Sequence, residues 1–300
     1  MKPPVGGQAV IEGVMMQNGD RIAVAVRRQS DNEILVRNLP ARSRFQRIDR
    51  IPFLRGLFRL YDMLSLGLRA LNLSTHLAFP EEEQLGRSGT FFTFLFAIAV
   101  AVGAFIVLPL YLTHSISGLR LGNSVLFNLV EGFIRLAFFF LYLVVISRMK
   151  EIHRVFQYHG AEHKVVYTYE ADEPLTVENA KKHTTLHPRC GTAFLMTVFV
   201  IAILIFSLAG NPTLWVKIVS RLLLLPVVAG VSYEALRFTA RNYDRWGVRL
   251  LAQPGLALQR LTTAEPTDEM LEVALAALNR TLVDNPAERR VPAPAPAASK

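Results

Sequence analysis

Four apolar runs dominate the chain, and two of them carry no charge. They lie at about Thr90–Thr113, Val125–Ser147, Thr192–Ala209 and Thr213–Leu236, the first and third being the uncharged ones. An α-helix needs roughly 17–25 residues to cross a hydrocarbon core. Each run reaches that length, so four transmembrane helices are expected. Uncharged runs this long are rare in the cores of soluble helical proteins. The composition agrees, with 51% hydrophobic and 19% charged residues and a mean hydropathy of +0.30.

Basic residues alternate between the connections. Residues 1–89 carry 13 Lys and Arg, 114–124 carry one, 148–191 carry seven, 210–212 carry none, and the chain from Arg237 onward carries nine. The positive-inside rule then puts both termini and the middle loop in the cytoplasm of a multi-pass protein of the cytoplasmic (inner) membrane. Basic cytosolic loops account for the net charge of +9, and no nucleic-acid partner is expected. No apolar stretch follows Met1–Pro4, so no signal peptide is expected. One cysteine, Cys190, excludes an internal disulfide framework and suits a reducing compartment.

The fold class expected is a mixed α/β membrane protein, four transmembrane helices carrying a cytosolic cap with a small β-meander and amphipathic helices. Residues 1–50 form the β-rich cytosolic segment. Gln8–Met16 and Arg21–Arg28 flank the hairpin signal Asn18-Gly19, and Ile34–Leu39 follows a second polar turn, giving three strands. Residues 51–89 form an amphipathic interfacial helix. Its apolar stripe runs through Leu54, Leu57, Phe58, Leu60, Tyr61, Leu64, Leu68, Leu71 and Leu73. Residues 90–147 hold the first two spans, 148–191 a cytosolic His/Cys loop, and 192–236 the other two spans. Cytosolic helices occupy 237–285, with a break expected at Gln253-Pro254-Gly255 and a helix over Pro266–Leu282. A disordered proline-rich tail fills 286–300. Membrane lipids are the expected partners, with room on the cap for a protein partner or a second copy of the chain.

Chemistry concentrates in the middle loop. His159-Gly160-Ala161-Glu162-His163 reads H-x-x-E-H. In a helix this puts two imidazoles on one face beside a glutamate able to act as general base, the pattern of an inverted zinc-protease motif. His187, Cys190 and His183 follow as further ligands for zinc or another divalent transition metal. Three readings stay open: a catalytic metal with a free position, a closed structural site of His159, His163, His187 and Cys190, or no metal at all. Two features argue for a helix ending at the motif. Gly160 weakens a helix by about 1 kcal/mol against alanine, and Lys164–Glu170 looks strand-like. Within the spans, Glu131 and Arg135 form an i, i+4 pair, and Arg221 lies at matching depth on another helix. Such charges face the bundle interior or snorkel outward.

Several segments resemble the signatures of the YqhQ-like bacterial membrane proteins: Gly6 to Met16, Tyr158 to Lys164, Leu186 to Thr192, Gly255 to Gln259, and Thr262 to Pro266. The resemblance runs nearly end to end and lapses in the proline-rich tail. That family is catalogued as a domain of unknown function and as a predicted metal-dependent enzyme. The resemblance implies membership of the family and no reaction. The metal-ligand pattern itself makes a metal-dependent, hydrolytic enzyme at the inner membrane face the leading expectation, with a non-enzymatic membrane scaffold or assembly factor holding a structural metal as the alternative class. The resemblance adds Glu12 and Glu265, from the first and last motifs, as candidate site residues, and ranks His183 below His187 and Cys190.

The topology is testable directly. Reporters fused after residues 118, 170, 211 and 285 are expected to read outside, inside, outside and inside. An external reading at 170 would overturn both the orientation and a cytosolic site.

Overall fold

A computed structural model describes residues 5–40, 51–80, 87–117, 124–208, 213–243 and 245–282. It is mostly helical, with one small antiparallel sheet at the N-terminus. The proline-rich tail and the ends of several connections lie outside the described residues.

The sheet has four strands rather than three. β1 (Val5–Val10), β2 (Gly13–Asn18), β3 (Arg21–Arg27) and β4 (Ile34–Pro40) lie in sequence order. The run expected as one strand, Gln8–Met16, folds back at Ile11-Glu12, so that Val10 pairs with Gly13. Glu12 adopts φ 52° there, a left-handed conformation that glycine, asparagine or aspartate would signal and glutamate does not. Its carboxylate is clamped. Arg154 donates to both oxygens at 2.7 and 2.5 Å, and Gln29 donates at 2.8 Å. The Asn18-Gly19 signal does mark a turn, with Asn18 paired to Arg21 and Gly19 at φ 60°.

Both faces of the sheet are buried. Val10, Met15, Ile22, Val24 and Val26 pack on Leu66, Ala70 and Ala78 of α1 (Leu54–Ala78). Val14, Met16 and Ala25 meet Tyr158 and Val165 of α5 (Lys150–Glu170) and Leu271 and Leu278 of α10 (Asp268–Leu282). The unbroken apolar run Ile22–Val26 follows from this double burial. Apart from Leu66, the buried residues of α1 are small: Gly56, Gly67, Ala70, Ser74 and Ala78. Much of the stripe read from sequence points away from the sheet: Leu54, Tyr61, Leu64, Leu68 and Leu71 are exposed. At the start of α1, Arg55 grips Glu234 of α8 with bonds of 2.6 and 2.5 Å.

Among the described residues, three helices are long and apolar enough to cross a membrane: Phe91–Ser115, Val125–Ile146 and Trp215–Thr239. The first comprises α2 (Arg87–Val102), a π-helical turn (Gly103–Val107) and α3 (Leu108–Ser117). The others belong to α4 (Ser124–Ile146) and α8 (Leu214–Arg241). The remaining run forms a shorter apolar helix, α7 (Thr192–Ser207), of 16 residues. At 1.5 Å per residue this spans about 24 Å, less than a hydrocarbon core of roughly 30 Å. It packs between α4 and α8.

Two expected breaks do not occur. Helix α9 (Trp246–Thr262), which follows the short α6 (Val177–Lys181) and the apolar helices, runs straight through Gln253-Pro254-Gly255. Packing overrides the proline. A Cβ at Gly255 would stand 2.7 Å from the Ala193 methyl, and Leu258 is fully buried with Phe139 and Met196. Helix α5 likewise continues past the histidine motif to Glu170. Its β-branched Val165, Val166 and Thr168 are buried at helical spacing, and tertiary contact outweighs their intrinsic preference.

Gly160 has a positive reason to be glycine. A Cβ there would lie 2.1 Å from the carbonyl oxygen of Ala264. Gly160→Ala ordinarily stabilises a helix by about 1 kcal/mol. Here the sign is expected to reverse, with a loss of about 1–3 kcal/mol from overpacking. Thermal unfolding of the detergent-solubilised variant measures it, and an unchanged or raised Tm would contradict the close approach.

Candidate metal centre

His159 and His163 lie one helical turn apart on α5, and their ring centroids are 4.4 Å apart. Cys190 reaches them from the turn that precedes α7. One ligand atom from each of His159, His163 and Cys190 falls within 4.8 Å of the others. The Cys190 sulfur is 3.2 Å from His159 Nε2.

Both rings are oriented by backbone carbonyls. His159 Nδ1 donates to the carbonyl of Thr262 at 2.8 Å, and His163 Nδ1 donates to that of Thr185. Each Nε2 is thereby left as the electron-pair donor, the usual arrangement for a metal-binding imidazole with an outer-sphere acceptor. His163 Nε2 is buried without a hydrogen-bond partner among the described residues. Burial also holds the His163 pKa below the ordinary imidazole range, with the nearby Cys190 thiol opposing it. A neutral ring with an orphaned lone pair beside a thiol is chemically suited to zinc, which takes nitrogen and sulfur together. Cys190 is only half-buried and forms no disulfide.

Glu162 sits on the same helix, 6% exposed. Burial pushes its carboxyl pKa up, against the positive influence of His159 and His187 and a backbone hydrogen bond from Gly7. The β1 strand presses on it: a Cβ at Gly7 would be 2.8 Å from Glu162 Cγ.

The structure puts His187 next to this trio but outside it. Its Nδ1 accepts from the Arg189 amide at 3.3 Å and its Nε2 faces Glu170 at 3.4 Å. Its backbone is held on both sides by Gln259, at 2.8 and 2.9 Å. His183 pairs with Glu173 at 3.1 Å. Glu12 is committed to Arg154, as described, and Glu265 to the buried Lys164 at 2.6 Å. Neither belongs to the trio. Glu131, Arg135 and Arg221 meet elsewhere, in the apolar helices. Arg221 donates to Glu131 at 2.8 Å, and Arg135 bonds the same carboxylate. Arg221 and Lys217 are 1% and 3% exposed, so neither snorkels.

Residues that sequence reading missed act through the backbone. Thr262 and Thr185 are acceptors by their carbonyls, for which no side chain gives a signal. The segment from Thr262 to Glu265 is strapped along α5. The Ala264 amide donates to the Phe156 carbonyl at 2.9 Å, and Gln157 donates to the Glu265 carbonyl at 3.1 Å.

This geometry belongs to a chain of known family and unknown activity. Residues 51–284 match the model described as "Protein of unknown function (DUF1385)". The chain belongs to this YqhQ-like family. It is 35% identical over 299 residues to "Uncharacterized protein YqhQ" of Bacillus subtilis (strain 168), covering 93% of this chain and 92% of that protein. No solved structure matches.

Purified protein is expected to hold about one zinc-like ion per chain, by analogy with other sites of two imidazoles and a thiolate. His159→Ala with His163→Ala should abolish it and Cys190→Ser should weaken it, whereas His187→Ala should retain it. Elemental analysis under chelator-free conditions decides. Loss of metal in His187→Ala alone would show a different ligand set.

Proposed function

We propose that the protein is a metal-dependent hydrolytic enzyme working at the cytosolic face of the inner membrane. One observation carries this reading. Two imidazoles with captured Nδ1 protons and one thiol bring ligand atoms within 4.8 Å of one another, His159 Nε2 standing 3.2 Å from the sulfur, and a buried carboxyl lies next to them in the chain. His159, His163 and Cys190 would hold zinc or another divalent transition metal. When bound, that metal supplies Lewis-acid polarisation to a carbonyl or phosphoryl substrate.

The protein's own residues do the rest. Glu162 takes and returns a proton. Burial raises its pKa above that of an ordinary carboxyl, the direction that favours proton exchange over permanent ionisation. Gln259, by clamping the His187 backbone, fixes the loop that delivers Cys190. Glu170 and His187 form an outer pair, with Arg189 at 2.9 Å from the Glu170 carboxylate. The cytosolic placement rests on the distribution of basic residues. The exposed apolar stripe of α1, with Trp246, Leu250 and Leu251 of α9 also exposed, supports a cap resting on membrane lipid.

The scaffold alternative would need a closed site with a fourth protein ligand. His187 is the nearest residue for that role, and both its ring nitrogens already have partners. The geometry therefore favours three ligands and an open position, the arrangement of catalytic rather than structural zinc.

Glu162→Gln separates the two. The amide keeps size and hydrogen bonding while losing basicity. The variant should fold, keep its metal and fail to complement a deletion strain. Wild-type complementation by Glu162→Gln would end the hydrolase reading of this site.

A further inference from the structure

A cavity of about 270 Å³ lies among the apolar helices, between the π-helical turn, α4, α7 and α8. It shares no residue with the histidine–cysteine site. Its lining is almost wholly apolar, and two arginines, Arg135 and Arg221, stand in its wall. Arg221 is 1% exposed, and its Nε has no hydrogen-bond partner among the described residues.

The charges around this cavity do not balance. Arg135, Lys217 and Arg221 are buried close to one carboxylate, Glu131, which is also buried. Arg135 takes one Glu131 oxygen and Arg221 the other. Arg135 also donates to the Phe105 carbonyl in the π-helical turn at 2.7 Å. Arg221 donates to Asn128 at 2.8 Å and lies over the Phe206 ring at 4.5 Å, while Lys217 lies 3.5 Å over that of Phe127. Neutral partners orient the cations without cancelling them, so three positive charges meet one negative among the described residues. Buried charge in an apolar segment is costly, and cations left in excess of their counter-charge there point to a ligand or ion that completes the balance.

Polar and apolar parts are segregated along the cavity. Arg221 and Glu131 each lie seven residues from the start of their helices, Leu214 and Ser124. That is about 11 Å along each axis. Beyond Arg221 the α8 wall continues with Leu225 and Val228, and the α7 wall runs from Phe206 back to Ala202 and Phe199. A small free anion would find the buried cations behind one end of the cavity and only apolar wall along the rest. We infer that this cavity binds an anionic amphiphile, a single acyl chain with a phosphate or carboxylate head, its head at Arg221 and Arg135 and its chain along α7 and α8.

The test uses the full chain in a neutral maltoside detergent, with thermal unfolding followed against added 1-oleoyl lysophosphatidic acid, oleate, lysophosphatidylcholine or inorganic phosphate. Stabilisation by an oleoyl anion is expected, and comparing the first two probes shows whether the head is phosphate or carboxylate. Zwitterionic lysophosphatidylcholine and inorganic phosphate should give none. Arg221→Gln should weaken the response by about tenfold or more, as expected for losing a charged hydrogen-bonding partner. Ala202→Phe fills the cavity and leaves every charge in place, so it should also weaken the response, and it carries the test if Arg221→Gln fails to fold. Equal stabilisation by lysophosphatidylcholine, a shift from inorganic phosphate alone, or a full response in every folded variant would overturn the proposal.

Discussion

The candidate centre depends on two hydrogen bonds, from His159 Nδ1 to the Thr262 carbonyl and from His163 Nδ1 to the Thr185 carbonyl. They come from two segments that meet over α5, the end of α9 and the loop after α6, where the Thr263 hydroxyl donates to that of Thr185 at 3.4 Å. Without them either imidazole could present either nitrogen, and the rings could turn away from Cys190. Close approach of the backbone is what permits them. Gly160 removes the Cβ that would strike the Ala264 carbonyl, and the Ala264 amide then bonds to Phe156. The strap carries Glu265 onto Lys164, a buried amine that would otherwise lack a counter-charge. One glycine thus couples helix packing, ring orientation and charge neutralisation.

The same construction ties the centre to the apolar helices. Cys190 lies in the turn immediately before α7, and its sulfur is 3.2 Å from the hydroxyl of Thr192, the first residue of that helix. Helix α9 lies across α7 through Gly255 and buries Leu258 with Phe139, Leu143 and Met196. Gln259, one residue on, holds the His187 loop. A shift of α7 or α9 would therefore move Cys190 and the Thr262 carbonyl relative to the two histidines. This mechanical link gives the cap and the apolar bundle a shared dependence that neither has alone.

Much of this was legible in the sequence, for identifiable reasons. The uncharged runs announce apolar helices because they are far longer than a buried strand and a helix satisfies its own backbone hydrogen bonds away from water. The i, i+4 histidines announce a shared face, and Cys190 is the one soft sulfur nearby. The matching positions of Glu131 and Arg221 anticipate their ion pair. Local signals failed where tertiary contact decides. Glu12 makes a left-handed turn because Arg154 holds its carboxylate. Pro254 fails to break α9 because α7 packs against it. Lys164–Glu170 stays helical because its branched side chains face a core. Backbone acceptors at Thr185 and Thr262 left no trace in residue type. His187 is drawn toward the metal set by spacing, yet Glu170 and the Arg189 amide occupy its nitrogens.

X-ray absorption at the zinc edge, on protein purified with its metal, bears most directly on this picture. Two nitrogen neighbours at about 2.0–2.1 Å and one sulfur at about 2.3 Å are expected, with a single light non-protein ligand completing a four-coordinate shell. A shell lacking sulfur, or one with a third histidine nitrogen that disappears in His187→Ala, would contradict the three-ligand centre.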